Sequence, residues 1–434
     1  MQGTPVPEAL ARIWTLLESG DEMGARRVAP PPGRGVDPRT RLGDGVIEPL
    51  ASKGDGMRIA RIETFTREHL SLVRITSDDG TQGWGQMRDF WHCGEIPALI
   101  FEKKVAPLAL GRCGDDPDAL LDLIEKTQYR NRGAYLAKAL AGLDTALWDL
   151  RAKAAGKSVS ELLGGARRLL PAYAATIHRH TSPAEEAVKL KAARDRSGFR
   201  AVKTRIGSMC GRNEDCAPGR TETLIPLLRR EFGDGFRLMA DANSCYDADH
   251  AIAVGRMLED SGYLVYEEPC PYWDLEATAR VAAALDMDVA GGEQDWDPAQ
   301  WRRMLDLAAV DVVQPDICDG GGFSAARRVA GLAEATGRKV MPHSSDRSLC
   351  LVFTLHLMAA MPNAAEFVEY TIEEEPWSER LFEPGLAIED GSVRVPEGPG
   401  WGVEPSPAWL TRAHRRVYAD ERVSPRASGC LSVS

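Results

Sequence analysis

The sequence "YLVYEEPCP" runs from Tyr263 to Pro271. Its first four residues are mostly apolar and suit a buried β-strand, and Pro269 ends that strand directly after Glu267 and Glu268. A carboxylate at the end of a buried strand is costly unless a cation or a hydrogen-bonding partner offsets its charge. The stretch therefore indicates that the folded protein holds a partner for Glu267.

Comparable runs recur along the chain beyond Pro171. Eight short strand-like segments alternate with helical stretches: "AYAATI", "RAVKT", "RLMA", "YLVY", "DVAG", "VDVVQP", "KVMP" and "EFVEY". Polar residues end these runs at positions 241, 267, 293, 316, 343 and 369, at intervals of 26, 26, 23, 27 and 26 residues. Eight such units predict a parallel sheet closed into a barrel, whose C-terminal rim carries the chemistry. We therefore expect these polar residues around one mouth.

Three acidic residues end successive predicted strands: Asp241 in "LMADAN", Glu267, and Glu293 in "AGGEQD". A single acid at a strand end is more often a helix N-cap or one partner of an ion pair at the rim. Three converging carboxylates would repel one another, whereas Mg²⁺ would accept them as half of an octahedral oxygen shell. We predict that these side chains bind Mg²⁺.

Basic and titratable groups complete the predicted ring. Lys203 and Arg205 in "AVKTRIG" lie two residues apart, so a strand would point both into the barrel, although cations paired with neighbouring acids at the core edge are the alternative. Asp316 and His343 end the two predicted strands that follow Glu293. A carboxylate beside an imidazole fixes its tautomer and raises its basicity, as a general base requires. Glu369 in "FVEYTIEEEP" closes the ring.

The remaining histidines and the distal contacts are less clearly marked. A lone histidine is usually structural, and we expect this of His250, His356 and His414. Candidate substrate contacts, each with packing or surface exposure as the alternative, are Asn243, His178, Trp84 and Arg130, together with the runs "GQMRDFWHCG" and "YRNRG".

Length and composition restrict the class of protein. The chain has 434 residues, 44% of them hydrophobic and 27% charged, as in an ordinary globular protein of one large and one smaller domain. A net charge of -11 argues against a nucleic-acid partner. No apolar run reaches the roughly 18 residues of a membrane span, and the first residues do not resemble a signal peptide. We therefore expect no membrane partner. Nine cysteines without a CxxC pair argue against disulfides and zinc, so we expect a cytoplasmic protein.

The first part of the chain differs in texture from the rest. Residues 1–56 combine one short amphipathic helix candidate with a Pro/Gly-rich tract, and we predict an N-terminal extension that is mobile or loosely docked. From Met57 the pattern changes to strand-like alternation with a hairpin signal at Asp79-Gly80, followed by helical spacing from Ile96 to Leu163.

The strand-end residues, in this order, resemble the mandelate racemase subgroup of the enolase superfamily. The resemblance runs from about Met57 to about Trp409 and includes "GLDTALWDLRAKAAGKSVSELLGG", similar to the family's junction of cap and barrel, and "EGPGWGVEPSPAWL", similar to its closing segment. It implies an α+β capping domain of residues 57–165, completed by about 375–420, over a (β/α)7β TIM-like barrel of residues 166–374. We expect a homo-oligomer.

The resemblance also implies a chemistry. Asp241, Glu267 and Glu293 would bind Mg²⁺, with Glu268 as the neighbour that is not a ligand, and the proton α to a substrate carboxylate would be abstracted. A divalent cation stabilises the charge that develops on that carboxylate.

The other ring residues take roles around the abstracted proton. His343, oriented by Asp316, would be the base. Lys203 would add a positive charge at the carboxylate, and a protonated Glu369 would donate a hydrogen bond to the same oxygen system.

One position departs from the family pattern. Members that racemise carry a lysine where this chain has Arg205, and that lysine acts as a second base. Arginine stays protonated at neutral pH, so a reaction with one base fits better. His343 would remove the α-proton and then, as an imidazolium, protonate the departing β-hydroxyl of an acid sugar, giving a 2-keto-3-deoxy acid.

The leading hypothesis is therefore an Mg²⁺-dependent acid-sugar dehydratase, a carbon–oxygen lyase whose substrate is a small carboxylate. A racemase or epimerase of a 2-hydroxy or amino acid is the first alternative and needs a second base. A metabolite-binding protein without catalysis on the same scaffold is the second alternative, although such a protein has no need of a base.

Overall fold

The computed structural model describes residues 57–89, 92–373, 375–378 and 380–419. The predicted extension, residues 1–56, lies outside the described residues. Within the described ranges, no helix combines the length and the apolar character needed to cross a membrane.

The described chain alternates strands and helices. The strands are β1 Ile59–Arg67, β2 Leu70–Ser77, β3 Gln82–Arg88, β4 Leu169–Ala175, β5 Ala201–Arg205, β6 Arg237–Asp241, β7 Val265–Glu267, β8 Asp288–Gly291, β9 Val312–Val313, β10 Lys339–Val340, β11 Val368–Thr371, β12 Phe382–Glu383, β13 Ile388–Glu389, β14 Ser392–Arg394, β15 Glu404–Pro405 and β16 His414–Ala419. The α-helices are α1 Glu95–Ile100, α2 Ala106–Ala109, α3 Pro117–Thr127, α4 Ala134–Ala154, α5 Val159–Leu162, α6 Pro183–Ser197, α7 Arg220–Phe232, α8 Ala248–Asp260, α9 Leu275–Ala284, α10 Pro298–Asp306, α11 Phe323–Ala335, α12 Leu349–Ala360 and α13 Pro407–Leu410.

An antiparallel sheet in the order β16-β1-β2-β3, with helices α1 to α5, forms the region that we call the cap. Strand β16, which lies more than 300 residues beyond β1 in the chain, pairs with it so that Tyr418 lies opposite Ile62. The C-terminal part of the described chain thus returns to the cap sheet.

Two glycines bring strand β3 close to helix α4. A Cβ atom at Gly83 would overlap the carbonyl oxygen of Ala146, and one at Gly85 would overlap that of Gly142. Because side chains alternate along a strand, this contact turns the residues at positions 84, 86 and 88 away from α4. The close approach therefore aims one face of β3 at the barrel.

The second large sheet contains eight parallel strands in the order β11-β4-β5-β6-β7-β8-β9-β10, and hairpin β13–β14 adds to β4 in the antiparallel sense. Between β10 and β11 no ladder forms among the described residues, and the link is an isolated parallel bridge of Val340 and Ala364. Strands β9 and β10 are two residues long. Pro315 and Pro342 follow them closely and lack the N–H group that would extend a ladder.

Apolar and aromatic side chains fill the inside of this sheet. The buried cluster consists of Tyr173, Ala175, Ala201, Met239, Val265, Ala290, Val312, Met341, Ala365 and Phe367. The filled interior leaves the C-terminal strand ends as the place where polar groups meet. Several helices begin at a Ser or Asp whose side chain accepts a backbone N–H, including α6 at Ser182, α8 at Asp247 and α12 at Ser348.

Candidate active site

The polar residues predicted to surround one mouth are brought together there. Lys203 and Arg205 lie in β5, Asp241 ends β6 and Glu267 ends β7. Glu369 lies in β11, while the loops after β8, β9 and β10 carry Glu293, Asp316 and His343. Most of these side chains are buried, so their charges must be balanced by one another or by a ligand.

Lys203 lies at the centre of the acidic residues. Its Nζ is 2.7 and 2.8 Å from the two carboxylate oxygens of Glu267, 2.9 Å from Glu369 Oε1 and 3.7 Å from Asp241 Oδ2. Lys203 is fully buried, and these carboxylates raise the pKa of its amine even though burial opposes the charge. It therefore stays charged.

Arg205 neutralises the next carboxylate. Its guanidinium forms an ion pair with Asp241 and donates to Asn243 Oδ1, and its Nε lies 3.2 Å from the carbonyl oxygen of Thr176. Burial favours the neutral form of Asp241, but Arg205 and Lys203 outweigh it and hold the pKa of Asp241 well below its usual range. Arg205 itself has a raised pKa, despite burial, because of Asp241 and the other acids, and cannot accept a proton.

The other two predicted metal ligands carry excess negative charge. Burial and the charge of Asp241 raise the pKa of Glu267 to about 8, although Lys203 opposes the shift. Burial also raises the pKa of Glu293, with Asp241 in the same direction and His343 against it. A divalent cation bound beside these carboxyl groups would stabilise their charged forms.

The donor atoms of these three residues fit Mg²⁺ in kind, because all are carboxylate oxygens. Glu293 Oε2 is buried, accepts no hydrogen bond and lies 3.2 Å from His343 Nε2. The three carboxylates are not drawn together in this structure, where Lys203 and Arg205 pair with two of them. The three carboxylates therefore suit a magnesium ion. In this structure Lys203 and Arg205 balance part of their negative charge.

A different group satisfies a simple distance criterion for a metal site. Within the described ranges, the set whose ligand atoms all lie within 4.8 Å of one another is Asp316, Cys318 and Cys350. Two thiols do not suit Mg²⁺, which prefers oxygen. Asp316 is also already paired with Arg88 and His343. We therefore do not assign the predicted magnesium site to this set.

The imidazole and its carboxylate form a close pair. His343 Nδ1 lies 2.8 Å from Asp316 Oδ2, while Asp316 Oδ1 accepts the backbone N–H groups of Cys318 and Asp319 at 2.8 and 2.9 Å. Burial lowers the pKa of His343, but Glu293, the bond to Asp316 and Glu369 outweigh it and raise the value to about 10. Nε2 remains available for chemistry on the side of Glu293.

Arg88, from the cap, supports this pair and was not identified from the sequence. It lies at the end of β3, is buried, and forms ion pairs with Asp316 and Asp346, with Asp319 Oδ2 at 3.3 Å. On the same face of β3, Gln86 Nε2 donates to Ser348 Oγ at 2.7 Å. The only sequence signal was that Arg88 belongs to the run "GQMRDFWHCG", of which Phe90 and Trp91 lie outside the described residues.

Glu369 differs from the expectation that it is protonated. Burial favours the neutral acid, but Lys203 at 2.9 Å, His343 and Arg205 lower its pKa to about 2. Its Oε2 accepts the backbone N–H of Ser344 at 2.9 Å, which also favours the carboxylate. With Lys203 in this position, Glu369 accepts hydrogen bonds and does not donate one.

The four candidate substrate contacts are spread over different surroundings. Asn243 lies in the ring, between Arg205 and Arg179. His178 is exposed. Trp84 packs in the hydrophobic core that includes Phe65, with ring centroids 5.5 Å apart, which favours a packing role.

Arg130 lies in surroundings of a different kind. It is exposed, and its Nε donates to the hydroxyl of Tyr129 at 2.7 Å. Its surroundings favour a surface role. Arg179, by contrast, has no sequence pattern that marks it, and its contact with Asn243 depends on how the loop after β4 folds.

Two family models match most of the described chain. "Enolase C-terminal domain-like" matches residues 185–409, and "Mandelate racemase / muconate lactonizing enzyme, N-terminal domain" matches residues 50–164. The predicted fold class, a (β/α)7β barrel with an α+β capping domain, is confirmed by these matches together with the parallel sheet.

Characterised relatives fall into two groups. The arabinonate dehydratase of Saccharolobus solfataricus is 29% identical over 360 residues, which cover 82% of this chain and 93% of the relative. The D-galactarolactone cycloisomerase of Agrobacterium fabrum is 34% identical over 360 residues, which cover 78% of this chain and 90% of the relative.

Solved structures agree in fold. A Roseobacter denitrificans protein described as a candidate racemase is 48% identical, with a TM-score of 0.82 over 84% of this chain and 100% of that one. The L-talarate dehydratase from Polaromonas sp. JS666, complexed with Mg and L-glucarate, is 26% identical, with a TM-score of 0.74 over 84% of this chain and 100% of that one. The prediction of an enolase-superfamily enzyme of the lyase type is confirmed by the relatives. This chain belongs to the mandelate racemase/muconate lactonizing enzyme family of the enolase superfamily.

Proposed function

We propose that this enzyme is an Mg²⁺-dependent acid-sugar dehydratase that removes the proton α to a carboxylate and expels the β-hydroxyl, giving a 2-keto-3-deoxy acid. The observation that carries the proposal is the His343–Asp316 pair, 2.8 Å apart, beside the buried acidic cluster. The names of the relatives support it, since arabinonate and L-talarate dehydratases are among them.

Asp241, Glu267 and Glu293 would hold the magnesium ion. The support is their common oxygen chemistry and the burial that raises the pKa values of Glu267 and Glu293, a cost that a bound cation would offset. When bound, Mg²⁺ supplies positive charge that stabilises the dianion formed as the α-proton leaves. The solved L-talarate dehydratase is described as complexed with Mg.

His343 would act as the base. Asp316 accepts from Nδ1, which fixes the tautomer in which Nε2 receives the proton. Glu293 contributes to the raised pKa of His343, so neutralising Glu293 lowers that pKa and makes the basic imidazole accessible nearer neutral pH. The protonated imidazole then returns its proton to the β-hydroxyl, which leaves as water while the electron pair forms the enol of the 2-keto acid.

Lys203 and Arg205 would bind rather than exchange protons. Lys203 is held among the carboxylates of Glu267 and Glu369, where its ammonium group would form an ion pair with a substrate carboxylate. Arg205 stays charged, so the face of the α-carbon opposite His343 has no base among these residues. A substrate with one configuration at C2 is therefore expected to react.

The cycloisomerase among the relatives favours a second candidate function with the same first step. If the leaving oxygen belongs to a ring of the substrate, elimination opens the ring and the product is an isomer instead of a dehydrated acid. His343 would serve both reactions, since it removes the same α-proton in each.

A panel of acid sugars and their lactones, incubated with the enzyme and Mg²⁺, tests the proposal through formation of 2-keto acids. We expect a subset of one C2 configuration to lose water, and in D₂O the opposite C2 epimer neither reacts nor exchanges its α-proton. Interconversion of C2 epimers would replace the dehydratase with the racemase or epimerase. Ligand binding without turnover by any member would favour the binding protein.

Replacing Arg205 by lysine sharpens this test. Lysine can lose its proton where Lys203 and a metal lower its pKa, so the Arg205→Lys enzyme is expected to gain α-proton exchange with the opposite C2 epimer. If the unaltered enzyme already shows that exchange, a second base exists and Arg205 is not the reason for the one-sided reaction.

A further inference from the structure

Three arginines cluster on one side of the barrel mouth. Arg179 lies in the loop between β4 and α6, Arg205 ends β5 and Arg220 begins α7. The guanidinium groups of Arg179 and Arg205 both donate to the same atom, Oδ1 of Asn243. Two like charges therefore converge on one neutral acceptor.

Local acids do not balance this charge. Arg205 is paired with Asp241, but in the part of the chain that the structure describes no carboxylate lies within ion-pair distance of Arg179 or Arg220. Nε of Arg179 and Nη2 of Arg220 are buried and have no hydrogen-bond partner among the described residues. Buried donors without an acceptor cost free energy, which a bound anion would recover.

The arrangement is held in place before any ligand binds. Arg220 donates from Nε to the carbonyl oxygen of Thr181 and from Nη1 to that of Arg205, each at 2.9 Å, and so ties the loop of Arg179 to the end of β5. Cys216 Sγ lies 3.1 Å from the carbonyl oxygen of Arg179. Prior fixing of the loop lowers the entropy cost of binding a ligand there.

Arg179 and Arg205 lie on a different side of the barrel mouth from His343, the proposed base. Arg205 adjoins Asp241 at β6, whereas His343 follows β10, and strands β7, β8 and β9 lie between them in the sheet. The carboxylate next to the reacting carbon is expected at the acidic cluster and Lys203. An anion at Arg179 is then a second charged group of the same substrate, and the guanidinium fork of arginine matches the two oxygens of a carboxylate.

We propose that Arg179, beside Arg205, binds a second carboxylate of the substrate, and that the substrate is therefore an aldaric, dicarboxylic acid sugar. This inference rests on the proposed function for its choice of sugar acids. A subsite for a second carboxylate would select diacids over monoacids of the same configuration. The acidic cluster and His343 do not make that distinction.

The test measures binding in an enzyme that cannot turn over. Calorimetric titration of the His343→Asn protein, with excess Mg²⁺, compares aldarates with aldonates of matched configuration, such as galactarate with galactonate and glucarate with gluconate. In at least one pair the aldarate is expected to bind about tenfold or more tightly, the effect of a charge-assisted bidentate contact. Adding Arg179→Gln should remove most of that difference and change aldonate affinity by less than about threefold.

Controls separate this role from a structural one. Arg212→Gln alters an exposed arginine in the loop before α7 and should leave both affinities unchanged. Arg179→Lys keeps the charge without the fork and should retain part of the preference, which a folding defect would not do. Equal affinities for every matched pair, or equal losses for aldarate and aldonate in Arg179→Gln, would overturn the inference. Selective aldarate binding without any turnover by the unaltered enzyme would leave the subsite in place and reject the dehydratase.

Discussion

Two buried histidines of the barrel carry opposite pKa shifts. His343 at the mouth is 4% exposed and has a pKa raised to about 10, whereas His356 in α12 is 0% exposed and has a pKa lowered to about 4. Burial lowers the pKa in both cases. The difference therefore comes from what surrounds each ring.

The barrel mouth and the contact of α12 with Ser160 and Trp401, which we call the seam, offer different partners. His343 faces the carboxylates of Asp316 and Glu293 at 2.8 and 3.2 Å. His356 Nε2 donates to the carbonyl oxygen of Trp401 at 3.0 Å, and its Nδ1 accepts the backbone N–H of Ser160 at 3.2 Å. Backbone groups satisfy a neutral imidazole and fix it for structure, while carboxylates favour its charged form and make proton transfer possible.

The largest expected effect comes from removing the imidazole of His343. His343→Asn should lower dehydration and α-proton exchange in D₂O together, by about 10⁴-fold, the upper end for loss of a general base. The circular dichroism spectrum should not change. As the matched control, His356→Gln should keep kcat. Exchange retained by His343→Asn would show that another group takes the proton.

Removing one acid of the mouth should have the next largest effect. Glu267→Gln should lower activity by about 10³-fold at saturating Mg²⁺, because charge stabilisation of the dianion is lost. The melting temperature should not fall, since the raised pKa of Glu267 leaves its carboxyl group largely neutral at pH 7, as a glutamine is, and Lys203 keeps Glu369 at 2.9 Å.

Two controls accompany that variant. Glu366→Gln, at an exposed ion pair with Arg237, should leave activity unchanged. The unaltered enzyme should lose activity in excess chelator and regain it with added Mg²⁺. Full activity in chelator would refute the metal assignment.

The mouth was predictable from the sequence to the extent that it follows the strand period. Asp241, Glu267 and Glu293 recur at intervals of 26 residues, and any barrel of βα units brings such positions to one rim. Arg88 and Arg179 follow no such period. Arg88 reaches the mouth because β3 turns one face toward the barrel, and Arg179 because its loop is tied to α7.

Other differences have equally local causes. Trp84 was a candidate substrate contact because it lies in the predicted capping domain, yet it packs against Phe65 in the core. The ionised state of Glu369 depends on Lys203, a residue 166 positions earlier whose distance the sequence does not reveal. Charge states of buried groups are set by such long-range pairs.

A smaller effect is expected where the cap supports the mouth. Arg88→Gln removes the cation paired with Asp316 and Asp346, so His343 is held less firmly and kcat should fall by about 10- to 100-fold, the range for loss of a supporting residue. KM should change little, since Arg88 acts through Asp316. The matched control Arg74→Gln, in the same cap sheet but paired with Glu63, should keep kcat. A loss confined to KM would instead place Arg88 against the substrate.

The last prediction concerns stability at the seam, with no expected effect on kcat, and tests the other half of the comparison. The folded-state pKa of His356, about 4, lies below its ordinary value of 6.5, so folding favours the neutral ring. The stabilisation is therefore complete above pH 6.5 and is lost as the pH falls toward 4, by roughly 3 kcal/mol in all. Melting curves between pH 7.5 and 4.5 should show a steeper loss for the unaltered enzyme than for His356→Gln, which has no group to protonate there. His414→Gln, at an exposed position, should follow the unaltered enzyme. If His356→Gln loses stability with the same pH dependence as the unaltered enzyme, the ring titrates alike in both states, and the seam does not hold His356 neutral.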